Sequence, residues 1–116
     1  MIVEIVRQKI KVGTVLQNPS KGNSIVEKYT EGSIRYKRGK SSIYLKNSLI
    51  ESAYKNFVGK KVSAKDLANF DIYFSSKRHH CNATFFLMLM DYCGFSKSGI
   101  HGAGKTGNPF YIDLIW

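Results

Sequence analysis

The segment from Gly99 to Thr106 has residue types and spacing that hold nucleotide phosphates in some enzymes. It reads G-I-H-G-A-G-K-T and matches the pattern G-x-x-x-x-G-K-[ST], in which glycine amides and a lysine bind phosphate. Such a loop needs a strand before it and a helix after it, whereas Gly107, Asn108 and Pro109 follow here and favour a turn. We therefore expect no nucleotide hydrolysis and no cofactor, although Lys105 could touch a phosphate of DNA.

Histidine and cysteine side chains suggest zinc, but their spacing does not suit it. The pairs C-x-x-C and H-x-x-x-H do not occur among His79, His80, Cys81, Cys93 and His101. On one continuous helix, Cys81 and Cys93 would lie about 18 Å apart at 1.5 Å per residue, too far to share an ion or form a disulfide. The sequence therefore predicts two thiols in the core and no metal.

One catalytic alternative stays open, because His79 and His80 directly follow Lys77 and Arg78. In a metal-independent ribonuclease, an imidazole serves as acid or base while a cation stabilises the phosphate. Nothing in the spacing requires this activity. We expect a non-enzymatic protein and keep the ribonuclease as an alternative.

A surplus of basic residues dominates the composition. The 116 residues include 18 Lys and Arg against 8 Asp and Glu, a formal net charge of +10 at pH 7. This excess destabilises a compact chain by self-repulsion, so a polyanionic partner is its natural explanation. We expect a nucleic acid, DNA rather than RNA, with an acidic protein or a membrane surface as alternatives. The expectation requires the surplus cations to gather on one face.

The length fits a single domain over residues 1–116. Ile2, Val3, Ile5 and Val6 are typical of a strand and not of a signal peptide. The longest apolar run, Phe85 to Met90, is too short to span a bilayer. We expect a soluble, cytoplasmic protein with no membrane partner, associated with the nucleoid if it binds DNA.

Residues 1–46 are predicted to form a basic antiparallel β-meander. Strands are expected at 11–16, 24–29, 33–37 and 41–46, since apolar and polar residues alternate between turn-forming loops. Its cations are Arg35, Lys37, Arg38, Lys40 and Lys46. They could follow a phosphate backbone while Tyr36 and Tyr44 stack on unpaired bases. Alternatively, the lysines protect sheet edges from aggregation.

Residues 47–116 are predicted to contain three helices and a hairpin. Ser48 with Glu51, and Ser63 with Asp66, have the spacing of capping boxes that begin the first two helices. The third helix is expected to begin near Ser76 to His80, to end at Gly94 and to be buried, with a strand at 84–90 as the competing interpretation. A hairpin with strands at 98–101 and 110–115 completes the chain.

This order resembles a winged helix-turn-helix domain over residues 48–116. The matching segments are S-L-I-E-S-A-Y-K-N-F, V-S-A-K-D-L, H-C-N-A-T-F-F-L-M-L-M-D-Y-C-G-F and G-I-H-G-A-G-K-T-G-N-P-F-Y-I. The resemblance implies that the first turn of the third helix enters the major groove of DNA, while a wing brings His101 and Lys105 to the backbone or minor groove. The implied contacts at that first turn are Ser76, Lys77, Arg78, His79, His80 and Asn82. Arg78 suits guanine and Asn82 suits adenine.

Together these observations predict an α+β protein, a β-meander followed by a winged helix, that binds double-stranded DNA as a regulatory or targeting module. Base contacts from the third helix would give specificity, and the lysines and arginines would give affinity. A small phage-type inhibitor that docks on a nucleoprotein enzyme is the alternative from another class. A homodimer is compatible with this reading, because many helix-turn-helix proteins bind two half-sites.

Overall fold

The computed structural model describes residues 1–75 and 80–115, with only the backbone described at His80. The elements in chain order are α1 Ile2–Lys9, β1 Val15–Gln17, β2 Asn23–Tyr29, β3 Ser33–Arg38, β4 Ser41–Lys46, α2 Asn47–Phe57, β5 Lys61–Ser63, α3 Ala64–Phe70, α4 His80–Tyr92 and β6 Tyr111–Asp113, with a 3-10 turn at Ile72–Phe74. The expected α+β class is confirmed. Among the described helices, none has the length and apolar character needed to cross a membrane.

The first half is a four-stranded antiparallel sheet in the order β1-β2-β3-β4. The predicted meander is confirmed in β2, β3 and β4, where side chains alternate between a buried face and an exposed face. The strand predicted at 11–16 is shorter, because the chain turns at Gly13, whose φ of 91° is a left-handed conformation that glycine adopts without strain. Pairing therefore begins only at Val15.

The strand predicted at the N-terminus is wrong, since residues 2–9 form helix α1. Ile2, Val6 and Ile10 recur every four residues and are buried together with Val3. That spacing places them on one side of a helix, whereas a strand would put alternate residues on one face. The β-branched residues misled the sequence-based assignment, because packing of an apolar face outweighs their weak preference for strands.

The two predicted capping boxes have different outcomes. Asp66 N donates to Ser63 Oγ over 3.0 Å and Ser63 N donates to Asp66 Oδ2 over 2.9 Å, so the box that begins α3 is confirmed. The box at Ser48 is wrong, because α2 already begins at Asn47 without a side-chain cap. Glu51 instead accepts a hydrogen bond from Val3 N over 2.7 Å and so joins α2 to α1.

Helix α4 is the buried centre of the molecule, as predicted, and the competing strand is wrong. Its residues from Phe85 to Met90 are all buried. On the inner face of the sheet, the ring of Tyr36 stacks on Phe85 with centroids 3.6 Å apart. Core residues of both halves belong to one hydrophobic cluster, so α4 joins the sheet to the second half.

The C-terminal hairpin is only partly as predicted. The return strand β6 spans Tyr111–Asp113 and pairs along its length with β5, which the sequence did not indicate. The expected partner at 98–101 makes a single bridge between His101 and Tyr111, and Ser96 makes another to Leu114. Two glycines fix the intervening turn, because a Cβ on Gly102 would lie 2.1 Å from the carbonyl oxygen of Pro109 and one on Gly104 would lie 2.5 Å from the Phe110 ring.

Candidate nucleic-acid interface

One face of the four-stranded sheet is open and carries much of its charge. In β3, Ile34 and Tyr36 point inward to α4, so Arg35 and Lys37 lie on the opposite face. The strand register extends this outer face across the sheet. We define the outer face by Ile25, Lys28, Arg35, Lys37, Tyr44 and Lys46.

A groove at one end of this sheet, the basic groove, combines cations with backbone turns. It has a volume of about 530 Å³ and lies between the loop that precedes β2 and the end of β3. Lys21, Lys37 and Arg38 line it with Gly22 and Gly39, and the exposed Lys40 follows in the β3–β4 turn. None of the described residues that line the groove is acidic. The positive charge there is thus uncompensated.

A buried asparagine holds the loop that carries Lys21. Asn18 Nδ2 donates to Lys21 O over 3.1 Å, and Asn18 Oδ1 accepts from Ser24 Oγ over 2.7 Å. The backbone adds a hydrogen bond of 2.9 Å from Asn18 N to Gly22 O. Because the side chains of Asn18 and Ser24 are buried, the bond between them forms away from water, and together these bonds fix the loop before any ligand arrives. The local sequence indicates only a turn-forming loop here, so this role of Asn18 was not predicted.

Arg35 is less available than its neighbours. Its Nε lies 3.4 Å from Glu27 Oε1, which also accepts a hydrogen bond from Ser42 Oγ over 2.8 Å. A hydrogen bond with Tyr44, together with Glu27, raises the pKa of the Arg35 guanidinium above its ordinary value. Glu27 balances part of the charge of Arg35, whereas Lys21, Lys37, Arg38 and Lys40 make no salt bridge within the described part of the chain.

The predicted adenine contact, Asn82, is in the core, and this expectation is corrected. Asn82 is only 1% exposed. Its Oδ1 accepts from Tyr36 Oη over 2.8 Å, and its Nδ2 donates to the carbonyl oxygens of Tyr44 and Tyr73 over 3.3 Å each. A base edge cannot reach an amide that is enclosed in this way. Asn82 instead joins α4 to the edge strand β4 and to the 3-10 turn.

The other residues predicted at the start of the third helix lie outside the described part of the chain. They are Ser76, Lys77, Arg78 and His79, together with the side chain of His80. Their neighbours are described, and Lys46 Nζ lies 4.7 Å from the centre of the Tyr73 ring. The 3-10 turn that carries Tyr73 thus lies beside β4, the edge strand of the four-stranded sheet.

His101 and Lys105 lie in the segment before β6, where they make isolated bridges to Tyr111 and Asn108, and not in the four-stranded sheet. The ring of His101 stacks on Tyr111 with centroids 5.3 Å apart, and its Nε2 lies 2.7 Å from Ser98 Oγ. Lys61 Nζ lies 4.2 Å from the centre of the same Tyr111 ring. Lys105 is exposed in the glycine-rich turn. These residues form a second, smaller basic region.

A groove of opposite charge lies at the other end of the four-stranded sheet. This acidic groove has a volume of about 350 Å³ and is lined by Glu4, Glu31 and Glu51, with Arg7 among them. Glu31 lies in the β2–β3 turn, whereas Gly39 and Lys40 form the β3–β4 turn, so the two grooves are at opposite ends of the strands. Cations outside the sheet, such as Lys55 and Lys65, are also exposed. The surplus of cations is therefore gathered only in part.

The described residues contain no cluster of three or more side chains suited to a metal ion. Cys93 is a free, buried thiol at the end of α4. Burial raises the pKa of the Cys93 thiol to about 11, which keeps it protonated at neutral pH. The glycine-rich segment follows α4, not a strand, and Asn108 bridges back to Lys105 where a phosphate-binding loop would begin a helix.

Comparison with protein-family profiles, with characterised proteins and with solved structures finds no match to this chain.

Proposed function

We propose that this protein is a non-enzymatic module that binds DNA through the phosphate backbone, with the basic groove as its main contact. The observation that carries the proposal is the groove itself, which three cations line without an acidic neighbour among the described lining residues. Binding a polyanion releases the counterions condensed on it and relieves the repulsion between the cations. Because Asn18 already orders the loop, little conformational entropy is lost on binding.

In more detail, we propose that the second half of the chain is winged-helix-like and contacts duplex DNA. The order α2, β5, α3, α4 and a hairpin ending in β6 supports it, as does the pairing of β5 with β6. In this arrangement the turn from Gly102 to Gly107 is the wing, which brings Lys105 and His101 to the backbone. Lys77 and Arg78, which precede α4 in the chain and lie outside the described residues, would contribute further contacts to the duplex. A regulatory or targeting role follows from such binding without catalysis.

The salt dependence of binding tests the proposal. A fourfold variant that replaces Lys21, Lys37, Arg38 and Lys40 with Ala removes the charge of the basic groove. A matched control replaces Lys11, Lys55, Lys60 and Lys65, four exposed lysines outside the sheet, and changes the net charge equally. For wild-type protein, the logarithm of the association constant for duplex DNA should fall linearly with the logarithm of salt concentration. The groove variant should lower that slope by about three to four, since each lost phosphate contact contributes about 0.9.

The control variant should keep a slope within about one of the wild-type value. Mobility-shift titrations at several salt concentrations measure both slopes. Equal losses in the two variants would mean that only net charge matters, and the basic groove would then be rejected as the binding site.

A further inference from the structure

On the outer face of the sheet, an exposed aromatic ring lies beside an arginine that forms an ion pair. Tyr44 is 51% exposed although its neighbours Ile43 and Leu45 point into the core. The strand register places Arg35 directly opposite Tyr44, and Lys28 directly opposite Arg35 on the next strand. A tyrosine that is half exposed on a sheet face offers part of a flat apolar surface to a ligand.

The charges around this ring favour a polyanionic ligand. Glu27, also on this face, is acidic, but its Oε1 already pairs with Arg35 and accepts a hydrogen bond from Ser42. Lys28, Lys37 and Lys46 remain exposed on three adjacent strands. A second copy of the chain would bring the same lysines against them, so self-association through this face is opposed by like charges. A nucleic-acid strand carries phosphates that can pair with the lysines and flat bases that can stack on the ring.

We propose that Tyr44 stacks on an unpaired base, so that the outer face binds a single-stranded DNA segment that continues from a duplex held at the basic groove. This inference rests on the proposed DNA binding and specifies the form of the DNA. Continuity supports it, because Lys37 lies on the outer face and also lines the basic groove. A backbone that leaves the groove at Lys37 passes over Arg35 and Tyr44 on its way to Lys46.

Arg35 is also part of the proposed site. Arg35 lies opposite Tyr44 in the strand register and is paired with Glu27 over 3.4 Å, and its planar guanidinium can stack on or hydrogen-bond to a base that lies on Tyr44. Further along the same edge, Tyr73 is 42% exposed and contacts Lys46, which extends the aromatic and basic surface toward the start of α4. Stacking tolerates any base, so we expect little sequence preference here.

Binding of a short blunt duplex is compared with binding of the same duplex that carries a single-stranded DNA extension, an abasic extension or an RNA extension. Fluorescence anisotropy gives the affinities. Wild-type protein should bind the DNA extension on the order of tenfold more tightly than the blunt duplex, and the abasic extension should lose most of this advantage. Tyr44→Ala should abolish the advantage while blunt-duplex binding stays within about twofold, and Tyr44→Phe, which keeps the ring, should retain it.

The outcomes separate this inference from the proposed function. If Tyr44→Ala leaves the preference for the extension intact, or if the abasic extension binds as well as the normal one, the stacking site is rejected while groove binding stands. An RNA extension bound more tightly than DNA would overturn the assignment to DNA. If blunt duplex binds wild-type and groove-variant protein equally weakly, the proposed function itself fails. Thermal unfolding of the Tyr44 variants verifies that they are folded.

Discussion

The sequence predicts nucleic-acid contacts on both the four-stranded sheet and helix α4. In the structure, the basic contacts predicted on the sheet are accessible, whereas the one described on α4 is buried. Lys37 and the turn that follows β3 are exposed and the other polar residues of β3 are partly exposed, whereas Asn82 on α4 is enclosed by Tyr36, β4 and the 3-10 turn. A strand with one face in the core leaves every second side chain in solvent. A helix that is apolar nearly all round is surrounded by protein, and a polar residue on it becomes a structural hydrogen-bonding group.

The availability of a side chain therefore depends on burial more than on residue type. Arg38 and Asn82 have equally suitable chemistry for nucleic acids, yet only Arg38 lines an open groove. Substitutions on the sheet should change DNA binding and leave stability nearly intact. Substitution of Asn82 on α4 should lower stability and leave DNA binding nearly intact.

The largest effect on stability is expected at Asn82. Asn82→Ala removes the acceptor of the buried Tyr36 hydroxyl and the donor to two carbonyl groups, so the free energy of unfolding should fall by about 3 kcal/mol. Urea unfolding measures it. Thr84→Ala, half-buried on the same helix, is the control and should change stability by less than about 1 kcal/mol. An Asn82 variant of unchanged stability that loses DNA binding would show that Asn82 contacts DNA, and it would contradict the difference between helix α4 and the sheet.

A smaller effect on stability, combined with an effect on binding, is expected at Asn18. Asn18→Ala leaves the buried hydroxyl of Ser24 without its acceptor and frees the loop around Lys21, so stability should fall by about 1–2 kcal/mol. Binding to duplex DNA should weaken as well, because the loop must be ordered on binding. Ser20→Ala, exposed in the same loop, serves as the control. Binding that is unaffected by loss of Asn18 would show that the loop needs no prior order.

The smallest effect appears only at high pH, where α1 meets the sheet. Tyr29 Oη donates to Ile10 O, and burial raises the pKa of Tyr29 from 10.0 to about 12. In the unfolded chain this hydroxyl ionises near pH 10, while in the folded protein it stays protonated to about pH 12. Its stabilising contribution is complete below pH 10 and is lost between pH 10 and 12, because only the unfolded state releases the proton there.

Tyr29→Phe should therefore show a shallower loss of stability than wild type over that range, as measured by thermal unfolding at each pH. Tyr54→Phe is a suitable control, since its partly buried ring packs near Phe95. Identical pH profiles for wild type and Tyr29→Phe would show that the Tyr29 hydroxyl is not buried between α1 and the sheet.

Much of the fold followed from local patterns, and the failures share a cause. Alternation at Ser33–Lys37, the capping box at Ser63 and the apolar run at Phe85–Met90 each specify one element without distant partners. The pairing of β5 with β6 and the burial of Asn82 depend on contacts between residues far apart in the chain, which no local pattern encodes. The N-terminal helix is the exception, because the spacing of Ile2, Val6 and Ile10 indicates a helix but was outweighed by the strand preference of β-branched residues. Lys37, Arg38 and Lys40 were visible from their spacing, whereas Lys21, which comes from another loop, was not. The opposing acidic groove was not, because Glu4, Glu31 and Glu51 meet only in the folded chain.

Chemical-shift mapping of backbone amides during titration with duplex DNA is the most direct test of the basic groove as the binding site. We expect the largest shifts at Lys21–Asn23 and Lys37–Lys40, with the amides around Glu4, Arg7 and Glu51 nearly unchanged. Shifts spread evenly over both ends of the sheet, or confined to residues outside it, would contradict the basic groove as the site of DNA binding.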